Sequence, residues 1–410
     1  MSLKSNNKWV TTGWLITTIV LLTCFANAQT RLTGRITDST TLKALAAASV
    51  YIGNSTVGTK TNENGVFTFQ NITPGNYQLL ISYIGYQTKQ VELPIASGDN
   101  ILNIVLNPRA IELNEVAIHA NNDWKKNFTL FKREFIGTND AEECKVLNQD
   151  ILNLDFDYKK NLLTASTKDF LDIKNSILGY KLRFLIKDFW ADYKTGKCHY
   201  SGTVIFEELL GKKSDQKKWA KNRMEVYKGS FRHFLTSLSL DQTDKDKFII
   251  RKLTRVPDIR RPADSVIRAQ IKKFTAQFES RGYNHASDSL DNWRQLLRSK
   301  KIIETLAKAP LHAGDIMHPS TQQELYDLQF DGYVYVIYKN KRVNEDTDDL
   351  FRFMDARSFQ TSAISLKNPG KPIVFNSKGV LLTNDGAYYE GAWNNRIINI
   401  LPDDYVPGQK

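Results

Sequence analysis

The chain contains few of the residues that crosslink or catalyse. Among its 410 residues there are three cysteines and six histidines. It has no Gly-x-Ser-x-Gly elbow, no Gly-rich phosphate loop ending in Lys-Ser/Thr and no Cys-x-x-Cys pair. The sequence therefore indicates no catalytic residue and no cofactor, and it favours a protein that is not an enzyme. A catalytic site gathered from distant segments stays open.

A second long apolar segment is also missing. The one present covers residues 9–25, follows Lys4 and Lys8, and ends in Ala26-Asn27-Ala28. A basic start, a short apolar stretch and small residues at its end are typical of a secretory signal peptide, so we expect removal of residues 1–28. A membrane anchor is the alternative, but threonines dilute the segment below the ~20 apolar residues of a spanning helix.

The cysteines leave two questions open. Cys24 would carry the lipid of a lipoprotein, although Thr23 before it fits such a site poorly. Cys144 and Cys198 remain after signal cleavage. An oxidising compartment permits a disulfide between them, and two separate buried thiols agree equally well with the sequence.

Positive charge is in excess, with 56 Lys and Arg against 44 Asp and Glu and a formal net charge of +12. Cleavage of the signal removes two lysines and leaves the mature chain basic. We expect the mature protein in the periplasm or on the outer membrane. There, such a charge favours an envelope protein, an anionic lipid surface or an acidic glycan as partner, and no nucleic acid is expected. A scattered positive surface without a specific partner is the alternative.

Residues 31–107 are dense in turn signals. Asn64-Gly65 is a strong hairpin signal because a type I′ turn needs positive φ at both central residues. Pro74-Gly75 and Gly85 mark further turns. The alternating runs between them predict strands near 31–37, 48–53, 56–60, 66–70, 76–84, 87–93 and 101–106. Seven short strands predict a two-sheet β-sandwich. We expect its core to include Phe67, Phe69, Tyr77, Leu79 and Ile81.

This segment resembles a known family. The matching positions are Gly34, Ala48-Ser49-Val50, the turn at 61–65, Phe67, Pro74-Gly75-Asn76-Tyr77 and Ile84-Gly85-Tyr86. They are similar to the carboxypeptidase-regulatory-like domain, a transthyretin-like β-sandwich found in proteins of the bacterial envelope. The resemblance implies an accessory docking or spacer module over residues 29–107.

Residues 108–120 resemble the linker that joins this domain to the plug of TonB-dependent outer-membrane receptors. Too few residues follow for the barrel of such a receptor, so we do not expect a transporter. A zinc carboxypeptidase needs a His-x-x-Glu pair and a distant His. No histidine has Glu three residues later, so we do not expect that activity either. The histidines are His119, His199, His233, His285, His312 and His318.

From Asn121 the composition shifts toward Lys, Arg, Trp and Phe. Apolar periodicity predicts helices at 123–137, 141–152, 211–240, 262–280 and 287–308. It predicts strands at 161–175, 179–193, 197–210, 332–340, 361–367, 372–376 and 379–385. This pattern predicts one α+β domain over residues 121–410, with helices inserted between antiparallel strands. We recognise no family for it.

Residues 211–240 form the most basic of these helical segments, as one helix or as two helices interrupted at Gly229-Ser230. Its polar face carries Lys217, Lys218, Lys221, Lys228 and Arg232. A basic amphipathic helix can lie on an anionic membrane, which makes peripheral membrane contact a hypothesis for this segment. The alternative, that its apolar face packs on the neighbouring sheet, is the commoner case.

Two polar groups are weak metal candidates. His312, Asp315 and His318 lie within seven residues and have side chains that ligate zinc, but their spacing and the flanking prolines indicate a loop. Asp346, Asp348 and Asp349 would suit calcium, but the Gly turn and closing Glu of an EF-hand are missing. We therefore expect no bound metal.

Three functions agree with these observations. The first is an envelope binding or scaffold protein that uses the sandwich for docking or spacing. The second is a hydrolase of unrecognised type that acts on envelope polymers, which a polar cleft with convergent carboxylates or histidines would favour. The third is a carrier of a lipid or another apolar ligand, which a large closed apolar cavity would favour.

Overall fold

The computed structural model describes residues 30–109, 122–137, 143–281, 286–322, 324–342, 359–383, 386–394 and 396–408. The predicted signal peptide, most of the predicted linker and the aspartates at 346–349 lie outside these residues. The chain divides into two compact units, residues 1–220 with 402–410 and residues 221–401. In the described residues no helix is long and apolar enough to cross a membrane.

The first seven strands form the predicted sandwich. They are β1 (Arg31–Asp38), β2 (Ser49–Ile52), β3 (Gly58–Lys60), β4 (Val66–Phe69), β5 (Gly75–Ser82), β6 (Lys89–Ile95) and β7 (Asp99–Leu106). One sheet has the order β4-β1-β7 and the other the order β3-β2-β5-β6. The type I′ hairpin predicted at Asn64-Gly65 is not formed: Gly65 has φ 71°, but Asn64 does not have positive φ, and β3 pairs with β2 whereas β4 pairs with β1. The Gly65 N–H instead donates to the Asn62 carbonyl at 2.9 Å and closes a turn over residues 62–65. Phe67, Phe69, Leu79 and Ile81 are buried in the core between the sheets, and Tyr77 packs against it.

The first unit contains a second sheet. Its elements are α1 (Asn122–Phe135), β8 (Cys144–Val146), β9 (Leu152–Asp157), β10 (Leu162–Thr167), β11 (Leu171–Asn175), β12 (Tyr180–Asp192) and β13 (Lys197–Glu208). The order is β8-β11-β12-β10-β9, and β13 pairs with the other edge of β12. Phe131 and Phe135 of α1 pack their rings against Phe184 and Phe189 of β12. The helix thus covers the inner face of this sheet.

The second unit is built on a five-stranded antiparallel sheet of order β15-β14-β18-β19-β21. A small sheet of order β16-β17-β20 accompanies it. The strands are β14 (Phe248–Pro257), β15 (Ile302–Leu311), β16 (Met317–Pro319), β17 (Leu325–Leu328), β18 (Tyr333–Arg342), β19 (Phe359–Leu366), β20 (Ile373–Asn376) and β21 (Ala387–Gly391). The helices after α1 are α2 (Lys213–Tyr227), α3 (Phe231–Ser239), α4 (Asp264–Arg281) and α5 (Ala286–Arg298).

The fold class is confirmed, a β-sandwich followed by α+β structure. The single α+β domain predicted for 121–410 stays a prediction; of its residues, 121–220 and 402–410 lie in the first compact unit and 221–401 in the second. Strands β8–β13 pair only with one another among the described strands, which separates them from β14–β21. Two helix predictions are wrong in part: 141–152 contains β8, and 287–308 ends as a helix at Arg298 before β15 begins. Pairing with β14 outweighs the local helical pattern at 302–308.

Candidate functional site

The best-defined contact of the sandwich is made by the loop Gly53–Val57, which we call the junction loop. Its backbone pairs with β13: Asn54 N–H donates to the Val204 carbonyl (2.7 Å), and Phe206 N–H donates to the Ser55 carbonyl (3.1 Å). Val204 N–H donates to Asn54 Oδ1 at 3.2 Å. The loop thereby covers the edge of β13 that β12 leaves open. Covering an edge strand in this way prevents it from pairing with another chain.

Asn54 and Gly53 explain why the junction loop can approach so closely. Asn54 has φ 59°, a left-handed conformation that Asn tolerates better than most residues. A Cβ on Gly53 would lie 2.6 Å from Thr203 Cγ2, so a side chain there would force the two elements apart. The Thr203 hydroxyl donates to Gln78 Oε1 of β5. These contacts fix the sandwich on the second sheet.

The C-terminal segment fastens the same loop from another side. Asp403 N–H donates to the Asn54 carbonyl at 2.7 Å. The Asp404 carboxylate accepts from the Thr56 N–H (2.9 Å) and from the Thr56 hydroxyl. Three stretches of chain distant in sequence, at 53–57, 203–206 and 403–404, therefore meet at one point of the first unit.

An apolar cluster lies beside the junction loop. Leu80, Phe170 and Ile205 are fully buried against one another, with Tyr51 and Leu185 packed around them. Leu80 points away from the sandwich core, whereas its neighbours Leu79 and Ile81 point into it. The sequence carries a signal for this contact: the apolar run Leu79-Leu80-Ile81 breaks the alternation of a strand with one wet face and indicates burial on both faces.

One of the positions that carry the resemblance, Tyr86, stabilises one end of the sandwich. The Tyr86 hydroxyl donates to Asp38 Oδ2 at 2.6 Å, and the backbone N–H groups of Thr40 and Thr41 donate to Asp38 Oδ1. The hydrogen bond from Tyr86, together with those from Thr41 and Thr40, lowers the pKa of Asp38 from 3.8 to about 2. Asp38 is therefore a structural carboxylate that holds the turn after β1.

The predicted metal candidates lie on separate parts of one connection. His312 begins a short 3-10 turn, and its N–H donates to Asp315 Oδ2 at 2.7 Å. His318 lies on β16 opposite Asp327 of β17. Across the described residues no three His, Cys, Asp or Glu side chains form a group that could hold a metal ion. Asp315 is thus engaged in capping the turn.

Carboxylates converge at Arg255 in the second unit. Glu304 accepts from its Nε at 2.8 Å, and Glu390 accepts from both of its terminal nitrogens at 2.8 and 2.6 Å. The Tyr333 ring lies 4.2 Å from the guanidinium carbon. Both carboxylates are hydrogen-bonded to this arginine, and Glu304 also pairs with Lys300 at 3.3 Å, so the arrangement does not provide a free acid and base.

The break between α2 and α3 is held by side chains. Gly229, with φ 74°, donates its N–H to His233 Nδ1 (3.1 Å), and its carbonyl accepts from Gln360 (2.8 Å) and Trp393 (2.9 Å). His233 Nε2 lies 3.7 Å from an Asp246 oxygen. Burial holds the pKa of His233 below its usual value, although Asp246 opposes this. His233 is therefore a neutral hydrogen-bond acceptor at the break between α2 and α3.

The two remaining thiols are free. Cys144 of β8 is buried, and that burial raises the pKa of its thiol to about 12. Cys198 of β13 lies 3.9 Å from the Glu134 carbonyl. Of the two arrangements that the sequence left open, the structure shows separate thiols.

The basic segment is divided between two helices with different roles. In α3, Phe231, Phe234, Leu235 and Leu238 are buried in the core of the second unit, so this apolar face packs inside the protein. In α2, Trp219 donates to the Ser176 carbonyl at 2.9 Å and its ring packs onto Gly179.

The opposite side of α2 is basic. Lys213, Lys217, Lys218 and Lys221 are exposed, and none has a charged or hydrogen-bonding partner in the described chain. Lys213, Lys217 and Lys221 follow one another at intervals of four residues, which places like charges side by side at a small cost in helix stability.

A shallow polar depression of about 300 Å³ lies in the second unit, where β14 ends and α4 begins. Asp264 lies on its wall, and its carboxylate accepts from Lys301 (2.7 Å) and Arg261 (2.8 Å). Hydrogen bonds from Lys301 and Arg261 lower the pKa of Asp264. Asp264, Arg261 and Lys301 in the wall of this depression are thus paired with one another.

Comparisons with known proteins identify the sandwich. No curated protein matches the chain. Similar solved structures include a type II cohesin–X-dockerin complex of Acetivibrio cellulolyticus, with 22% identity over 19% of this chain and 56% of that chain and a TM-score of 0.17. Another is BcpA, the major pilin subunit of Bacillus cereus, with 19% identity over 20% and 31% of the two chains and a TM-score of 0.19.

A third is the pilus 2b backbone protein of group B streptococcus, with 16% identity over 20% and 42% of the two chains and a TM-score of 0.17. The chain thus covers less than two thirds of each of these proteins. Residues 32–118 match the model of the CarboxypepD_reg-like domain, and no family is recognised for the C-terminal part. The resemblance drawn from the turn and strand pattern is confirmed: this segment is a CarboxypepD_reg-like domain.

Proposed function

We propose that this is an exported cell-envelope protein with a non-catalytic binding or scaffold role, in which the CarboxypepD_reg-like domain is a docking module. The observation that supports this role is the junction loop, which pairs with β13 and is fastened by Asp403 and Asp404. A spacer on a free linker would not need such contacts. The sandwich instead presents the second sheet in a fixed position to an envelope partner.

Export is tested by sequencing the N-terminus of the protein purified from its native cells and by fractionating those cells. We expect the mature chain to start near Gln29 and to fractionate with the periplasm or the outer membrane. An intact Met1 or Ser2, or recovery in the cytoplasm, would contradict export.

The scaffold role is tested by photo-crosslinking in living cells from a probe on the exposed side of the second sheet. In the wild type we expect crosslinks to an envelope protein. In Leu80→Asp, which undocks the sandwich without touching its core, they should be lost. The matched control is Val105→Asp, because Val105 is exposed on β7. Equal crosslinking in both variants would contradict a docking role, and turnover of an envelope polymer by the purified protein would favour the hydrolase.

We also propose that α2 makes peripheral contact with an anionic surface through Lys213, Lys217, Lys218 and Lys221. Each lysine close to an anionic membrane adds a factor of about five to the binding constant. The test is cosedimentation with vesicles of phosphatidylcholine, with and without phosphatidylglycerol. We expect binding only to the anionic vesicles, weakened by salt.

A variant in which all four lysines are changed to Gln should no longer bind the anionic vesicles. A control with the same charge change uses four exposed lysines elsewhere, Lys174, Lys187, Lys252 and Lys308. Equal loss of binding in the two variants would show that net charge alone is responsible. Failure of the wild-type protein to bind anionic vesicles would contradict the proposal.

A further inference from the structure

One row of side chains crosses four strands on the outer face of the second sheet. Asp155 of β9 pairs with Thr164 of β10, Thr164 pairs with Trp190 of β12, and Trp190 pairs with His199 of β13. Directly paired residues point to the same face and have Cβ atoms about 5 Å apart. The four side chains therefore form one continuous row, about 14 Å long from the spacing of neighbouring strands. We call it the Trp190 row.

The row faces away from the core of its sheet. The adjacent position on β10 and on β12 is occupied by Leu163 and Ala191, which pair with each other and are buried. They share the inner face with Phe189, whose ring contacts Phe131 of α1. Successive residues of a strand point to opposite faces, so Thr164 and Trp190 lie on the outer face.

Three of the four residues in the row have polar groups that are not used within the described chain, and the fourth, His199, lies beside Asp188. The Asp155 carboxylate is exposed, and neither it, nor the Thr164 hydroxyl, nor the Trp190 indole N–H has a hydrogen-bond partner in the described chain. The His199 ring lies 5.7 Å from the Trp190 ring at an angle of 34°. His199 Nε2 is 3.8 Å from an oxygen of the exposed Asp188.

This combination differs from an ordinary solvated strand face. Aromatic residues are common in strands, but a half-buried Trp usually places its N–H on a partner, as Trp219 does with the Ser176 carbonyl. At Trp190 a large ring shares its face with the Thr164 hydroxyl and with two exposed carboxylates, Asp155 and Asp188. Such a surface offers stacking and directional hydrogen bonds to the same ligand.

We propose that the Trp190 row binds a neutral glycan. One sugar ring lies with its C–H face on the indole, whose face carries partial negative charge. Its hydroxyl groups accept from the Trp190 N–H. The next ring on one side contacts Thr164 and donates to Asp155, and the next ring on the other side contacts His199. Asp155 and Asp188 disfavour uronic acid and sulfated chains by like-charge repulsion.

This ligand class specifies the binding role proposed above. It rests on that proposal in one respect: export is what brings the protein into contact with envelope glycans. The two can fail separately. Export is decided by the N-terminus of the native protein, whereas glycan binding is measured on the purified full-length mature chain.

The test is isothermal titration of the full mature chain with four probes. They are cellohexaose and chitohexaose as neutral glycans, a polygalacturonate oligomer as an acidic glycan, and hexalysine as a basic peptide. We expect saturable binding of at least one neutral hexasaccharide with quenching of tryptophan fluorescence. In a variant with the four lysines of α2 changed to Gln, which removes the anionic contact proposed above, we expect neutral glycan binding to persist and no binding of polygalacturonate. Tight binding of hexalysine with neither neutral glycan bound would identify a basic protein segment as the ligand and overturn the proposal.

Variants locate the site. Trp190→Ala should weaken glycan binding at least about tenfold through lost stacking, and Asp155→Asn by up to about tenfold through the loss of a charged acceptor. Trp190→Phe keeps a ring and should retain most of the affinity. The matched control is Trp293→Ala, because Trp293 of α5 is also half-buried but lies outside the row. Its binding should equal that of the wild type.

Two results would overturn the assignment to this surface. One is the absence of binding by both neutral hexasaccharides to a folded wild-type chain. The other is unchanged affinity in Asp155→Asn and Trp190→Phe/Asp155→Asn, whose folding is verified by denaturant unfolding. Because these substitutions leave the inner face of the sheet unchanged, a loss of affinity in them cannot be assigned to a loss of the fold.

Discussion

The outer face of the second sheet has two halves, on either side of the bulge between Ile186 and Asp188. In the first half, Leu185 and Ile205 pack with Leu80 of the sandwich, and Thr203 donates to Gln78. In the second half, Trp190 has an indole N–H without a partner in the described chain. The same sheet thus has one half occupied by its own chain and one half open to a ligand.

The comparison shows how one surface can serve two purposes. In the covered half, Leu185 and Ile205 are packed against Leu80 and the Thr203 hydroxyl has its partner in Gln78, as expected of a permanent contact. The open half is polar around a single aromatic ring, which keeps it soluble while it retains binding groups. A change that uncovers the first half should therefore alter stability, and a change in the second half should alter binding.

The largest effect is expected in the sandwich core. Phe69→Ala should lower the free energy of unfolding by roughly 3 to 5 kcal/mol, the range for a buried aromatic cut back to Ala. We also predict that residues 31–107 fold alone, because their core is complete without the second sheet. Denaturant melts of the fragment and its variant check both statements. A disordered fragment, or a silent substitution, would mean that its strand faces are misassigned.

A contrast between chain and fragment is expected for Leu80. Leu80→Ala in the full chain should cost about 2 to 5 kcal/mol, since the side chain is fully buried against Phe170 and Ile205. In the isolated fragment the same change should cost less than about 1 kcal/mol, because Leu80 is then on the surface. An equal loss of stability in the full chain and in the fragment would show that Leu80 packs inside the sandwich core. The sandwich would then not cover the first half of the second sheet.

The sandwich could be predicted from sequence because its signals are local. Asn64-Gly65 marks a turn, although not the type I′ hairpin that the pair predicts, and alternation assigns Phe67 and Phe69 to one face without knowledge of any distant residue. The docking of this module could be anticipated only from the apolar run at Leu79-Leu80-Ile81. Nothing in the sequence indicates that Asn54 would pair with Val204, 150 positions later.

The C-terminal part was predicted less well for the same reason. The sequence pattern does not predict β14 and predicts a helix where β15 lies, because both strands are stabilised by pairing with each other across the inserted helices α4 and α5. The Trp190 row was missed too. It gathers Asp155, Thr164, Trp190 and His199 from four strands, so no spacing in the sequence marks it.

The contribution of Asp38 to stability is expected to depend on pH. Its pKa is about 2 in the folded chain and near 3.8 when the hydrogen bonds from Tyr86 and Thr41 are lost. The unfolded state therefore binds a proton first as the pH falls, so the contribution of Asp38 is complete above pH 3.8 and is lost on acidification toward pH 2. Asp38→Asn should be less stable than wild type at neutral pH and less sensitive to acid. Melts of the 31–107 fragment at a series of pH values measure this.

If the acid sensitivity of the fragment persists in Asp38→Asn, another carboxylate causes it. Asp99 of β7 provides the control, because its pair with Arg31 is exposed on both sides. Exposed ion pairs contribute little, so Asp99→Asn should leave the acid profile of the fragment close to that of the wild type.

The smallest effect on stability is expected in the open half of the second sheet. Asp155 is exposed and has no partner in the described chain, so Asp155→Asn should change the free energy of unfolding by no more than about 0.5 kcal/mol. The same variant should bind a neutral hexasaccharide less tightly, because the amide replaces a charged acceptor. Denaturant unfolding and titration of one preparation measure the two quantities together. A large loss of stability would mean that Asp155 makes contacts that stabilise the fold. The open half of the sheet would then not be available as a ligand surface.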